Sequence, residues 1–272
     1  MVKFWDAHIH LFPQPLFRAI WRWFDDYGWG IPYTNWELEE YIDYLQRIGV
    51  EGGYLLTYVH KPDMSLDLNR WVRDTCKQYP FLIPFACIHP DDSNLDQVIT
   101  TTMDDWGFAG FKLQLAVQQF PADYPGLEPI YLAALERKKP VIIHAGTAPY
   151  PPGSPHLGLS HMKKVLDRWP TLKVVIPHLG FNEFDEALSL VAEYPNVYLD
   201  TSWVLGNPEV DLPSERLVNF MEQYPDRFLY GSDFPIIEWA AEDSLTSLLG
   251  LGLSKDTEGK VLVENARRLV QK

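Results

Sequence analysis

RFLYGSD, residues 227–233, decides how the rest of the chain is read. It opens as a short apolar run fit for a core strand and closes on Asp233, with Gly231 and Pro235 on either side. A carboxylate at the exit of a buried strand is costly unless something pairs with it, so its partner has to come from elsewhere in the chain. Seven runs of the same kind precede it: KFWDAHIH (3–10), GYLLTYVH (53–60), FLIPFACIH (81–89), FAGFKLQ (108–114), PVIIH (140–144), LKVVIPH (172–178) and NVYLDTS (196–202). Between most of them lie stretches with helical periodicity, at 36–49, 66–79, 127–139, 161–169 and 214–224, and 261–272 reads as a closing helix. Strands alternating with helices predict a parallel sheet covered on both faces. Eight strands in 272 residues match the count and length of an α/β chain closed into a (β/α)8 TIM barrel. A doubly wound open sheet is the rival, but the chain has no GxGxxG to recommend it.

No linker, low-complexity tract or charge run divides the sequence, so residues 1–272 are expected to form one catalytic domain. Two segments exceed ordinary connections: an aromatic insertion at 11–35, after the first strand, and 145–159, after the fifth. In a barrel such loops surround the mouth where chemistry happens.

The formal net charge is -14, from 37 acidic and 23 basic side chains. That field repels phosphate backbones and anionic lipid, which argues against nucleic acid and membrane partners and leaves a small molecule as the expected one. The only cysteines, Cys76 and Cys87, form no disulfide framework and no CxxC site, which suits a reducing compartment. The opening MVKFWDAHIH runs directly into a strand without the features of a signal peptide, and no run of about 18 apolar residues occurs, so a cytoplasmic location is expected. Ten tryptophans suggest an excess of exposed aromatic surface and hence a homodimer.

Polar residues gather at the strands' C-terminal ends: His8 and His10 on the first, Lys112 on the fourth, His144 on the fifth, His178 on the sixth and Asp233 on the eighth. Side chains two apart on a strand share a face, so His8 and His10 can point into the barrel together. Strand closure makes the first and eighth strands neighbours, and all eight present these ends at one mouth. Imidazoles with a carboxylate suit zinc and related divalent ions, and an open coordination position allows water to be activated near neutral pH. A lone histidine at a strand end is an ordinary polar side chain. Five such groups at one rim are a metal site, and Asp233 has its partner.

The motifs D-A-H-I-H (6–10), V-I-I-H (141–144), I-P-H-L-G (176–180) and G-S-D-F-P (231–235) resemble the amidohydrolase superfamily. They are most similar to its amidohydrolase-related branch, which includes aminocarboxymuconate-semialdehyde decarboxylase. The resemblance runs from the first strand to N-A-R-R-L (265–269). It implies a distorted barrel with one divalent metal, most often zinc, although manganese, iron or cobalt would suit the same donors. It further implies His8, His10, His144 and Asp233 as ligands, with Asp233 as proton shuttle and His178 acting beside the metal. Lys112 occupies about the strand on which binuclear members carry a bridging carbamylated lysine; the mononuclear branch has F-K-L without that role.

The expected activity is metal-dependent hydrolysis of a small carboxylated or cyclic substrate. The alternative is non-oxidative decarboxylation in the same site, which the ligand set does not distinguish. A metal-dependent deoxyribonuclease barrel shares the opening HxH, but F-K-L-Q stands here where that group places a glutamate. For substrate contacts, Lys112, His60, Trp203 and Arg18 are the candidates. Each has a structural alternative: a buried paired amine, a loop cap, a core tryptophan and a solvated arginine.

Overall fold

A computed structural model describes residues 2–148 and 154–271. Its parallel strands follow one another in sequence order around a single sheet. They are β1 (Phe4–Ile9), β2 (Val50–Leu55), β3 (Leu82–Cys87), β4 (Gly110–Leu113), β5 (Val141–Ile143), β6 (Val174–Ile176), β7 (Val197–Asp200) and β8 (Phe228–Leu229). The ring is closed just beyond β8. Ala7 N donates to Tyr230 O at 2.8 Å, Asp233 N to His8 O at 3.0 Å and His10 N to Phe234 O at 2.8 Å. The buried Asp6 carboxylate joins the same seam, accepting from Ser232 Oγ and N and from the His8 N–H. Burial raises its pKa to about 7 against those donors. Of the run expected at 227–233 only Phe228–Leu229 is strand; the residues after it still bond to β1 at Tyr230 and Asp233, and the left-handed conformation of Asp233 (φ 72°) then turns the backbone away.

The helices are α1 (Gln14–Asp26), α2 (Leu38–Ile48), α3 (Ser65–Gln78), α4 (Leu95–Thr100), α5 (Leu115–Gln118), α6 (Glu128–Glu136), α7 (Leu159–Arg168), α8 (Phe184–Glu193), α9 (Ser214–Gln223), α10 (Ala241–Gly250), α11 (Lys255–Gly259) and α12 (Asn265–Val270). Their apolar faces explain their places. In α2, Glu37 and Glu40 form a capping box, Gly49 ends the helix at φ 106°, and Tyr41, Ile42, Leu45 and Ile48 are buried against the sheet. Inside the ring, Tyr54, Phe85, Ile142, Val175 and Leu229 pack together with Ala266 and Leu269 of α12. The helices cover the outer face through a larger continuous core.

Much of the 11–35 insertion is helix α1. It buries Phe17 and Trp21, which stack at 5.0 Å between ring centroids. Residues 149–153 of the second long segment lie outside the described residues. Of the ten tryptophans only Trp23 is exposed; Trp21 is buried and the other eight are half-buried, so the exposed aromatic excess offered as a reason for a homodimer is small. Both cysteines are buried and free, and burial pushes each thiol up to about 12. Among the described residues no helix is long and apolar enough to cross a membrane.

Candidate metal centre

At the barrel mouth the strand ends bring His8, His10, His144, His178 and Asp233 together, all buried. His8 lies within β1 and His10 just past it, and their Nε2 atoms stand 3.2 Å apart. Asp233 Oδ1 is 3.4 Å from His8 Nε2 and 3.1 Å from His10 Nε2, yet it makes no hydrogen bond. One donor atom each from His8, His178 and Asp233 also lies within 4.8 Å of the other two. His144 is outside that trio but adjacent, its ring centroid 4.7 Å from that of His178. Gly231 allows the close approach of β1 and the segment after β8, since a Cβ there would stand 2.8 Å from the Cβ of His8.

Proton bookkeeping shows why these atoms are short of a partner. His10 Nδ1 is 2.5 Å from the Leu56 carbonyl, which can only accept, so the ring proton sits on Nδ1. His8 Nδ1 faces the Asp200 carboxylate at 2.8 Å, with the same consequence. Both neutral rings therefore turn a bare Nε2 toward the Asp233 oxygen, and the 3.2 Å Nε2–Nε2 approach holds no proton. Three acceptors converge with no shared donor. Lys112 Nζ, 3.2 Å from His8 Nε2, meets only one of them. Among the described residues neither nitrogen of the buried His144 has a hydrogen-bond partner. Buried acceptors in such excess fit a cation, and their chemistry fits a divalent metal.

The electrostatics favour the ligating forms. Burial holds His8 and His144 well below the ordinary imidazole range and lowers His10 too, so all three are neutral near pH 7. Burial pushes the Asp233 carboxyl up, and only protonated neighbouring rings of His10, His178 and His8 would push it below its ordinary value. Burial lowers Lys112 to about 8.

Above this floor opens a cavity of about 490 Å³. Its α1 side is apolar, with Leu16, Ile20, Trp23, Phe24 and Tyr27 at helical spacing. The opposite side carries Gln114, Thr147, Phe181 and Trp203. Gln114 Oε1, Thr147 Oγ1 and Trp203 Nε1 are buried there without a hydrogen-bond partner among the described residues. No lysine or arginine lines the cavity among the described residues, and residues 149–153 (PYPPG) contain none.

The four expected substrate contacts divide. Trp203 and the exposed His60 line the cavity. Arg18 does not: it is exposed, pointing away from a helix whose cavity face is apolar, and its carbonyl accepts from Arg22 Nε. Lys112 does not either, because β4 buries it beneath His8 rather than in the wall. The sequence reading missed Asp200 and Ser202, which hold the backs of His8 and His178. The signal that singled out Asp233, a carboxylate ending a core strand, was equally present in NVYLDTS.

Comparison with known proteins agrees with this architecture. No curated protein matches the chain. Among solved structures it is similar to an uncharacterised TIM-barrel protein from Bordetella bronchiseptica, at 22% identity, TM-score 0.78 and 98% coverage of both chains. It is also similar to 2,6-dihydroxybenzoate decarboxylase from Rhizobium, at 16% identity, TM-score 0.69 and 99% coverage of both chains. A third is 5-carboxyvanillate decarboxylase from Novosphingobium aromaticivorans, complexed with manganese and 4-hydroxy-3-methoxy-5-nitrobenzoic acid, at 17% identity and TM-score 0.71; the alignment covers 98% of this chain and 96% of that one. At such identities the likeness speaks for the barrel. The amidohydrolase family model matches residues 5–272, and the chain therefore belongs to this family of metal-dependent enzymes.

Proposed function

We propose that the chain is a metal-dependent hydrolase of a small, planar, uncharged ring compound such as a lactone, cyclic amide or aryl ester. The observation that carries this reading is an Asp233 oxygen without a hydrogen bond beside the bare imidazole nitrogens of His8 and His10, at the floor of an apolar cavity whose described wall holds no cationic side chain. His8, His10, His144 and Asp233 would hold one divalent ion; zinc is favoured by three imidazoles with a carboxylate, and manganese is the next choice. Bound there, the ion supplies Lewis acidity toward a carbonyl oxygen and makes water acidic near neutral pH. Asp233 accepts the proton of the attacking water and returns it to the leaving group. His178, a cavity-lining imidazole whose bare Nε2 can only accept, orients the attacking water by accepting one of its protons in a hydrogen bond. The α1 wall excludes bulk water, while Trp203 Nε1, Thr147 Oγ1 and Gln114 Oε1 wait for polar atoms on the substrate's edge. A cytoplasmic location belongs to the same reading.

A second reading, decarboxylation of an aromatic acid, is favoured by the aromatic wall and by the decarboxylases among the structural relatives. With no cation in the wall, the substrate carboxylate would have to lie at the metal floor. Turnover in water labelled with heavy oxygen separates the two. Label in the product acid supports hydrolysis; carbon dioxide without label in the product contradicts it.

A further inference from the structure

The centre is backed by a second carboxylate, Asp200, at the end of β7 and fully buried. Its Oδ2 lies 2.8 Å from His8 Nδ1. Its Oδ1 accepts from Ser202 Oγ at 2.5 Å, Ser202 N at 3.1 Å and His178 N at 3.2 Å. Because the Ser202 hydroxyl proton goes to Asp200, its oxygen can only accept from a ring. His178 Nδ1 approaches that oxygen at 2.9 Å and the Ser202 carbonyl at 3.0 Å. Both acceptors require a proton on His178 Nδ1, which leaves Nε2 bare.

The same carboxylate secures an unusual piece of backbone. His178, Leu179, Gly180 and Phe181 have φ values of 59°, 51°, 78° and 50°. Three of these are side-chain-bearing residues at positive φ, a conformation that glycine adopts far more readily. The bond from His178 N to Asp200 Oδ1 ties the first of them to β7.

We propose that Asp200, acting with Ser202, is the positioning residue that presets two imidazoles of the centre. It locks His8 directly, and His178 through the serine and its backbone N–H, with Nδ1 protonated and Nε2 bare. The metal-site reading of His8 underlies the functional value of this arrangement, but the tautomers are a property of the metal-free protein.

Metal-free protein labelled with nitrogen-15 at histidine reports the tautomer of each ring through long-range proton–nitrogen spectra. In the wild type, His8 and His178 should carry the proton on Nδ1, and that of His8 should be shifted downfield by the carboxylate. In Asp200→Asn the amide can also donate toward His8, so the ring should lose its single tautomer. Zinc affinity, measured by competition with a chelator, should drop about 10–100-fold in that variant. Asp200→Glu, which keeps the carboxylate, should restore the His8 signal at least in part; a general packing defect would not be relieved by the larger side chain. A wild-type His8 protonated on Nε2, or an unchanged His8 tautomer in Asp200→Asn, overturns the proposal. Should that variant fail to fold, the wild-type resonance decides alone, assigned by its loss in His8→Asn. If the tautomers are as stated and wild-type protein binds no zinc, the metal-site reading fails and the positioning role of Asp200 stands.

Discussion

The two halves of the barrel deliver their functional groups in different ways. In the first half the strands are long: β1, β2 and β3 have six residues each and β4 has four. His8 and Lys112 sit inside them, aimed inward by ordinary alternation. In the second half the strands shrink to three residues in β5 and β6, four in β7 and two in β8. Here His144, His178, Trp203 and Asp233 come after the strand ends, the last three with φ of 59°, 61° and 72°. The first half is a regular scaffold that happens to carry ligands. The second bends its backbone to present them, and hydrogen bonds to the first half or to β7 keep the bends in place.

The largest expected effect falls on the bent side. Asp233→Asn retains a side chain that tolerates the left-handed region, so the thermal melt should stay close to wild type. Steady-state turnover should nevertheless decrease by about 10³-fold, since the proton acceptor is gone. Near-normal turnover would remove Asp233 from the chemistry.

Two substitutions on adjacent bent strands sharpen the division of labour. His144→Asn should lower the metal content measured by elemental analysis, because an imidazole with no hydrogen-bond partner among the described residues is lost. His178→Asn should keep the metal and lower turnover by about 10²–10³-fold. The reverse pattern would make His178 the ligand, as its 4.8 Å grouping with His8 and Asp233 would permit.

The seam between the halves is tested by Gly231→Ala. Its new Cβ would stand 2.8 Å from that of His8, and the resulting shift should cost about 1–3 kcal/mol in a denaturant titration. The smallest effect is expected at a left-handed residue that serves no site. Lys138, φ 54°, follows α6 in a Schellman turn, with Lys138 N donating to Leu135 O and Lys139 N to Ala134 O. Lys138→Gly should stabilise by about 0.5–1 kcal/mol and leave activity untouched. A loss of stability there would count against the assigned cost of the left-handed positions.

The same contrast explains what could be read from the sequence. Eight β-branched and aromatic runs separated by amphipathic stretches made the barrel legible, because both periods are local properties of the chain. The HxH of β1 was legible for the same reason. Strand limits in the second half were not: LKVVIPH and RFLYGSD look continuous, and nothing local says that His178 and Asp233 leave the ladder. Asp200 and Ser202 escaped notice because their roles depend on rings that are distant in sequence. Arg18 appeared useful by composition alone; which face of α1 meets the cavity is decided by packing, and it is the aromatic one.

The most direct test of the metal-centre reading is a crystal structure of zinc-loaded protein with anomalous data collected at the zinc edge. It should show one strong peak per chain, with His8, His10 and His144 nitrogens and an Asp233 oxygen about 2.0–2.2 Å away. A peak bound by other residues, or none on these four in protein saturated with zinc, would contradict it.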